Sequence, residues 1–177
     1  MECILIRHGI AVERDEWEGT EENRPLTDRG KKRVRQAAAG LVALGCKPTH
    51  LFTSPFVRAY DTARVLRAEL CPTLKVETRE ELAVGAKPDQ LVSVLHTLPL
   101  DAVVLCVGHE PFLGELVSLL LCGKMLENFP FKKAGAACME AEGRLRVGQC
   151  RLCWWFPPMQ LRVLRKRARM KRQGEQS

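Results

Sequence analysis

Short apolar runs alternate along this chain with longer stretches in which apolar positions recur every three or four residues. Short runs bounded by turn residues read as strands, and the longer repeat reads as amphipathic helix. Cys3-Ile4-Leu5-Ile6 is a first strand that ends at Arg7-His8-Gly9. Glu13 to Asn23 is polar and acidic and reads as a loop. Leu26-Thr27-Asp28 opens a helix with Thr27 as N-cap; its apolar face runs Val34, Ala37, Ala38, Leu41, Leu44, and Gly45 ends it. His50-Leu51-Phe52-Thr53 is a second strand, punctuated by Ser54-Pro55. Val57 to Leu70 reads as a helix stopped by Pro72, and Leu74 to Glu77 as a weak strand. Pro88-Asp89 starts a helix through Leu98, with proline in the first turn. Ala102 to Val107 is continuously apolar, as a parallel strand buried on both faces requires. Gly108-His109-Glu110-Pro111 follows, then an apolar helix to Leu121.

The last third changes pattern. Ala136 to Glu140 and Leu145 to Phe156 read as an antiparallel pair around Glu142-Gly143, and Pro157-Pro158 opens a final helix. The order predicts an α/β fold: a three-layer α/β/α sandwich with a mainly parallel sheet and an antiparallel edge. Ligands of such sheets sit beyond the carboxyl ends of the strands. Arg7-His8-Gly9, Ser54-Pro55 and Gly108-His109 all fall there.

Composition adds bounds. The 177 residues fit one domain, and 46% apolar with 28% charged residues is an ordinary globular mix. No apolar run approaches the roughly 20 residues that span a bilayer. Met1-Glu2-Cys3 carries an acid before too short an apolar run for a signal peptide. Eight cysteines then point to a reducing, cytoplasmic setting. The net charge of +7 is uneven. Arg162, Arg165, Lys166, Arg167, Arg169, Lys171 and Arg172 face only Glu175 in the last stretch, so the rest of the chain is nearly neutral. Residues 1–161 are thus expected to form the domain and 162–177 a basic helix or tail. Leu161, Leu164 and Ala168 share a helical face that would dock its first half. The second half reads first as a solvated terminus. No aromatic residues interleave it, so nucleic acid is not an expected partner.

Taken alone, each candidate site residue has an ordinary reading beside the functional one. Arg7-His8-Gly9 reads equally as a strand with a polar end. Arg58, in the first turn of a helix beyond a strand, suits an anion, but a single arginine is more often a solvated one. His109 ends the most apolar strand, yet a satisfied buried histidine is the commoner case. Asp61 and Thr62 either support Arg58 or favour the helix start. Together, two histidines and two arginines at one sheet edge suit a phosphate. A neutral imidazole can attack phosphorus while its other nitrogen is held by a carbonyl, and cations stabilise the equatorial oxygens. Cys150-Arg151-Leu152-Cys153 is a lone CxxC in a strand pattern, which argues against zinc or redox use. His50 and His96 have no such setting.

The ordered set resembles the histidine phosphatase superfamily, in the branch that includes phosphoglycerate mutases. It comprises Arg-His-Gly at Arg7–Gly9, Arg-Pro-Leu-Thr-x-x-Gly at Arg24–Gly30, Ser-Pro-x-x-Arg-Ala at Ser54–Ala59 and Gly-His at Gly108–His109. The short length and the Arg-Pro-Leu-Thr segment are most similar to SixA-type phosphohistidine phosphatases. The resemblance implies a phosphoglycerate mutase-like fold and a metal-independent, cofactor-free phosphatase. His8 would become phosphohistidine, and water would then release inorganic phosphate. Arg7, Arg58 and His109 would form the phosphate pocket, with Arg24 touching substrate or bracing it. Glu81 aligns with the glutamate that protonates the leaving group in many relatives, with Glu80 beside it; either also reads as an ordinary solvated acid. The short stretch between Arg58 and His109 leaves little room for the helical cap of the mutases, so an open site would admit a protein side chain. The expected substrate is a phosphohistidine carrier protein. The alternatives are a small phosphorylated metabolite and, in a different class, a phosphate-binding module without turnover.

Overall fold

The computed structural model describes residues 1–165. Six strands form one sheet in the order β3-β2-β4-β1-β5-β6. They are β1 (Glu2–Arg7), β2 (His50–Thr53), β3 (Val76–Thr78), β4 (Val103–Gly108), β5 (Ala136–Glu140) and β6 (Arg151–Phe156). β1 pairs parallel to β4, and β2 pairs parallel to β3 and β4. β5 and β6 run antiparallel and close one side, as the sequence pattern implies. The helices are α1 (Asp28–Ala43), α2 (Val57–Leu70), α3 (Pro88–Leu95) and α4 (Phe112–Cys122).

Strand side chains alternate between faces, and this builds two cores. Ile4, Ile6, Leu51, Leu105 and Val107 bury against Val34, Ala37 and Leu41 of α1 and Ala59, Ala63 and Leu66 of α2. Cys3, Leu5, Phe52 and Cys106 face the other way onto Leu91 and Leu95 of α3 and Leu113, Leu116 and Leu120 of α4. Thr27 caps α1 by accepting from the Gly30 amide at 2.9 Å. Gly45, at φ 78°, turns the chain away after that helix. Trp155 joins the α3/α4 core and Trp154 the α1/α2 core, which also holds Leu161.

Two elements differ from the sequence reading. Helix α3 stops at Leu95, three residues short of the expected end. The last strand begins only at Arg151, not at Leu145. The amides of Gly148 and Cys150 donate to the carbonyls of Leu119 and Leu120 near the end of α4. The Leu145 side chain is buried in the α3/α4 core. A segment that satisfies a helix end cannot also pair with β5. Residues 158–165 are helical; the second half of the expected basic tail lies outside the described residues. Among the described residues no helix is long and apolar enough to cross a membrane.

Candidate active site

Register brings the motifs together. Arg7 pairs with Gly108 and Thr53 with Val107, so β1, β2 and β4 end side by side. The next residues, His8, Ser54 and His109, therefore emerge on one edge. Arg58 joins them from the first turn of α2. His8, Arg58 and His109 are 6%, 3% and 3% exposed. The two imidazole centroids lie 5.0 Å apart.

The hydrogen bonds assign protons. His8 Nδ1 lies 2.7 Å from the Gly9 carbonyl oxygen. A carbonyl only accepts, so Nδ1 carries the hydrogen and Nε2 keeps its lone pair. Burial pushes the His8 pKa down to about 2, helped by His109, Arg58 and Arg7 and opposed by the Gly9 hydrogen bond. The ring is thus neutral at physiological pH. Burial, with Arg58 and Arg7, likewise brings His109 down to about 3. Its Nε2 lies 2.8 Å from Ser54 Oγ. That oxygen also accepts from the Phe56 amide at 3.3 Å, so the His109 ring is tied through Ser54 to the start of α2.

Among the described residues, His109 Nδ1, Arg7 Nε and Arg58 Nε are buried without a protein partner. Buried polar groups are normally paired, so three orphan groups around one histidine mark a place for an acceptor-rich ligand. The arginines are otherwise held firmly. Arg7 Nη1 donates to the Phe131 carbonyl at 2.7 Å, and Arg58 Nη1 to the Glu21 carbonyl at 2.8 Å. The Arg58 guanidinium also stacks over the Phe56 ring, 4.9 Å from its centroid. Thr62 ties α2 to the first loop: its hydroxyl accepts from the Gly9 amide at 3.0 Å and donates to the Arg58 carbonyl at 2.7 Å.

Arg7, His8, Arg58 and His109 are therefore brought into one cluster. Arg24 stands behind it. Its Nε and Nη2 bind the Glu21 carboxylate at 3.0 and 2.6 Å, and its Nη1 donates to the Val12 carbonyl at 2.7 Å. Each of its three guanidinium nitrogens thus donates to the loop between β1 and α1. Glu81 lies in a 3-10 turn, Glu80–Leu82, that reaches the rim through Leu82. Its own surroundings are a surface depression shared with Glu80, Gln90, Ser93, Val94 and Thr97, outside the cluster. Asp61 faces another depression, with Lys31, Arg35 and Arg64. The sequence reading missed Glu21, which sits in the loop taken as merely acidic. Its position three residues before Arg24 is the signal that was available.

The histidine phosphatase superfamily (branch 1) model matches residues 3–83. An uncharacterized protein of Picosynechococcus is 35% identical over 138 residues, covering 76% of this chain and 82% of its own length. The chain belongs to the histidine phosphatase superfamily. Its fold is that of the family's solved structures. The protein histidine phosphatase SixA complexed with tungstate aligns at a TM-score of 0.79 and 26% identity, over 91% of this chain and 99% of that one. A mycobacterial glucosyl-3-phosphoglycerate phosphatase aligns at 0.65 and 17% identity, over 88% and 98%. At that identity the second likeness is one of fold alone. Within this superfamily member, the segment between Arg58 and His109 consists of the rest of α2, β3, the 3-10 turn and α3, and α3 packs on the sheet face rather than over the site.

Proposed function

We propose that this superfamily member is a metal-independent phosphatase that works through a phosphohistidine on His8 and removes phosphate from phosphohistidine in proteins. The observation that carries the reading is the His8 ring. Its Nδ1 is held by the Gly9 carbonyl, its Nε2 is left as the lone-pair nitrogen, and orphan N–H groups surround it.

In the first step His8 Nε2 attacks phosphorus, the Nε2–P bond forms and the bond from phosphorus to the leaving group breaks. Arg7, Arg58 and His109 donate to the equatorial oxygens, where stabilisation of a loose transition state is needed. As Nε2 is phosphorylated the ring becomes cationic, and its Nδ1–H bond to Gly9 strengthens as a charge-assisted contact. Water then attacks phosphorus, the Nε2–P bond breaks and inorganic phosphate leaves. A phosphoimidazole protonated by solvent is already a good leaving group, so this substrate places little demand on Glu81. The uncapped rim supports a side chain on a protein as substrate. Tungstate, named with the SixA neighbour, is a tetrahedral oxyanion like phosphate, which agrees with the anion-accepting cluster.

The test is phosphate release, in EDTA, from a phosphohistidine-carrying protein, beside an aryl phosphate and 3-phosphoglycerate. Fast release from the protein that is lost in His8→Ala is expected. Release from the small esters alone would replace the protein substrate with a metabolite. Binding without release from any of the three would replace the enzyme with a phosphate-binding module.

A further inference from the structure

A groove of about 550 Å³ opens beside the phosphate cluster, between α4 and the loop that follows it. Glu110, Glu115 and Glu127 line it together with Met125, Leu126 and Phe129, and among the described residues no lysine or arginine does. Met125 is 59% exposed and Leu126 37%. The groove thus sets exposed apolar side chains beside carboxylates.

The groove is a built feature. Gly114 lets the loop lie against α4, since a Cβ there would stand 2.6 Å from the Phe129 carbonyl oxygen. Ser118 Oγ accepts from the Leu126 amide at 2.9 Å and pins the loop from the other side. The groove also adjoins the site. Glu110 follows His109 directly and accepts from the Phe131 amide at 3.0 Å, while the Phe131 carbonyl accepts from Arg7. Anything whose phosphoryl group sits at Arg7 and His109 therefore has this groove next to it. Lys133, beyond the groove, is turned to Glu13 at 3.9 Å, while Arg7 lies close enough to act on Glu110 and Lys124 precedes Met125 in the chain.

We propose that the groove holds a segment of the substrate polypeptide that carries lysine or arginine among apolar residues, next to the phosphorylated side chain. This rests on the phosphatase reading above. The occupant follows from charge: three carboxylates without a lining cation favour a cationic segment, and Met125, Leu126 and Phe129 cover its apolar part. Burial raises the pKa of Glu110, against the Phe131 amide and Arg7; an incoming cation would oppose that shift.

The experiment compares two phosphohistidine peptides that differ only in lysine or glutamate beside the phosphorylated residue, with an aryl phosphate as a third substrate. The full chain and a Glu115→Gln/Glu127→Gln variant are assayed. The lysine peptide is expected to have a kcat/KM about tenfold higher, mostly through KM, and the gap is expected to close to about twofold in the variant and in high salt. Aryl phosphate turnover should be the same in both proteins, which also reports that the variant folds. Equal kcat/KM for the two peptides, with aryl phosphate hydrolysed normally, would overturn the groove assignment and leave the phosphatase reading standing. Silence on all three substrates would overturn both. Concentration-dependent self-association that the variant loses would give the groove to a second copy of this chain and overturn the proposal.

Discussion

Glu21 and Arg58 are joined twice. The Arg58 Nη2 lies 3.1 Å from the Glu21 carboxylate, and Nη1 donates to the Glu21 carbonyl at 2.8 Å. The same carboxylate takes two bonds from Arg24. These Arg24 bonds, with the charges of Arg58 and Arg14, hold the Glu21 carboxyl below the usual range, although partial burial acts the other way. Glu21 thus links the acidic loop to the Arg58 guanidinium of the site cluster. Glu21→Gln keeps the shape and removes the charge. We expect kcat/KM to fall about tenfold, equivalent to ~1.4 kcal/mol of transition-state stabilisation, with weaker inhibition by inorganic phosphate. Steady-state kinetics and phosphate inhibition check this; unchanged values for both would remove Glu21 from the positioning of Arg58.

Stability should depend on pH through the two site histidines. Their folded-state values, about 2 and about 3, lie below the ordinary 6.5. Below pH 6.5 the unfolded chain therefore binds protons that the folded chain refuses, so stability rises with pH across that window. The contribution is complete above about pH 7 and is lost as pH falls toward 3. Each ring should cost about 2 kcal/mol between pH 7.5 and 5. Urea unfolding at the two pH values measures the loss, and His8→Gln should shrink the difference by about one ring's share. An equal pH effect in the variant would contradict the buried neutral imidazole.

Thr62→Val preserves volume and deletes the hydroxyl. The Gly9 amide, buried with its residue, then loses its acceptor. An unpaired buried amide costs about 1–3 kcal/mol. Urea unfolding should show that loss, and activity should fall with it because the hydroxyl no longer ties the loop after His8 to the α2 turn that carries Arg58. A variant as stable and active as the parent would show that the bridge is dispensable.

Gly30→Ala tests the glycine of the Arg24–Gly30 motif. A Cβ at Gly30 would stand 2.0 Å from the Ile10 carbonyl oxygen, so the start of α1 would have to withdraw from the loop after His8. Overpacking of this kind costs about 1–3 kcal/mol. A thermal midpoint several degrees lower is expected, with reduced phosphate release; a midpoint at or above the parent's would show that the contact relaxes freely.

The places where the sequence reading held are local. α2 runs from Val57 to Leu70 as its periodicity and Pro72 imply, and Thr27 caps α1 as read. The parallel β4 was legible because a strand buried on both faces must be apolar at every position. The reading failed at Leu145–Cys150, where the Leu145 side chain fills the α3/α4 core and the Gly148 and Cys150 amides meet the end of α4. It also passed over Glu21, because an acid in a polar loop looks the same whether it faces water or an arginine.

The order of strands and helices, and the fall of Arg7-His8, Ser54 and His109 at strand ends, were determined by the sequence alone. Periodicity records which face of each segment is buried, and that needs no knowledge of the neighbour. Only the tertiary structure decided that Glu21 meets Arg58 and that the Gly9 amide donates to Thr62. Those contacts join loops brought close by the sheet order β3-β2-β4-β1-β5-β6. A hydrogen bond between loops leaves no periodic trace in either.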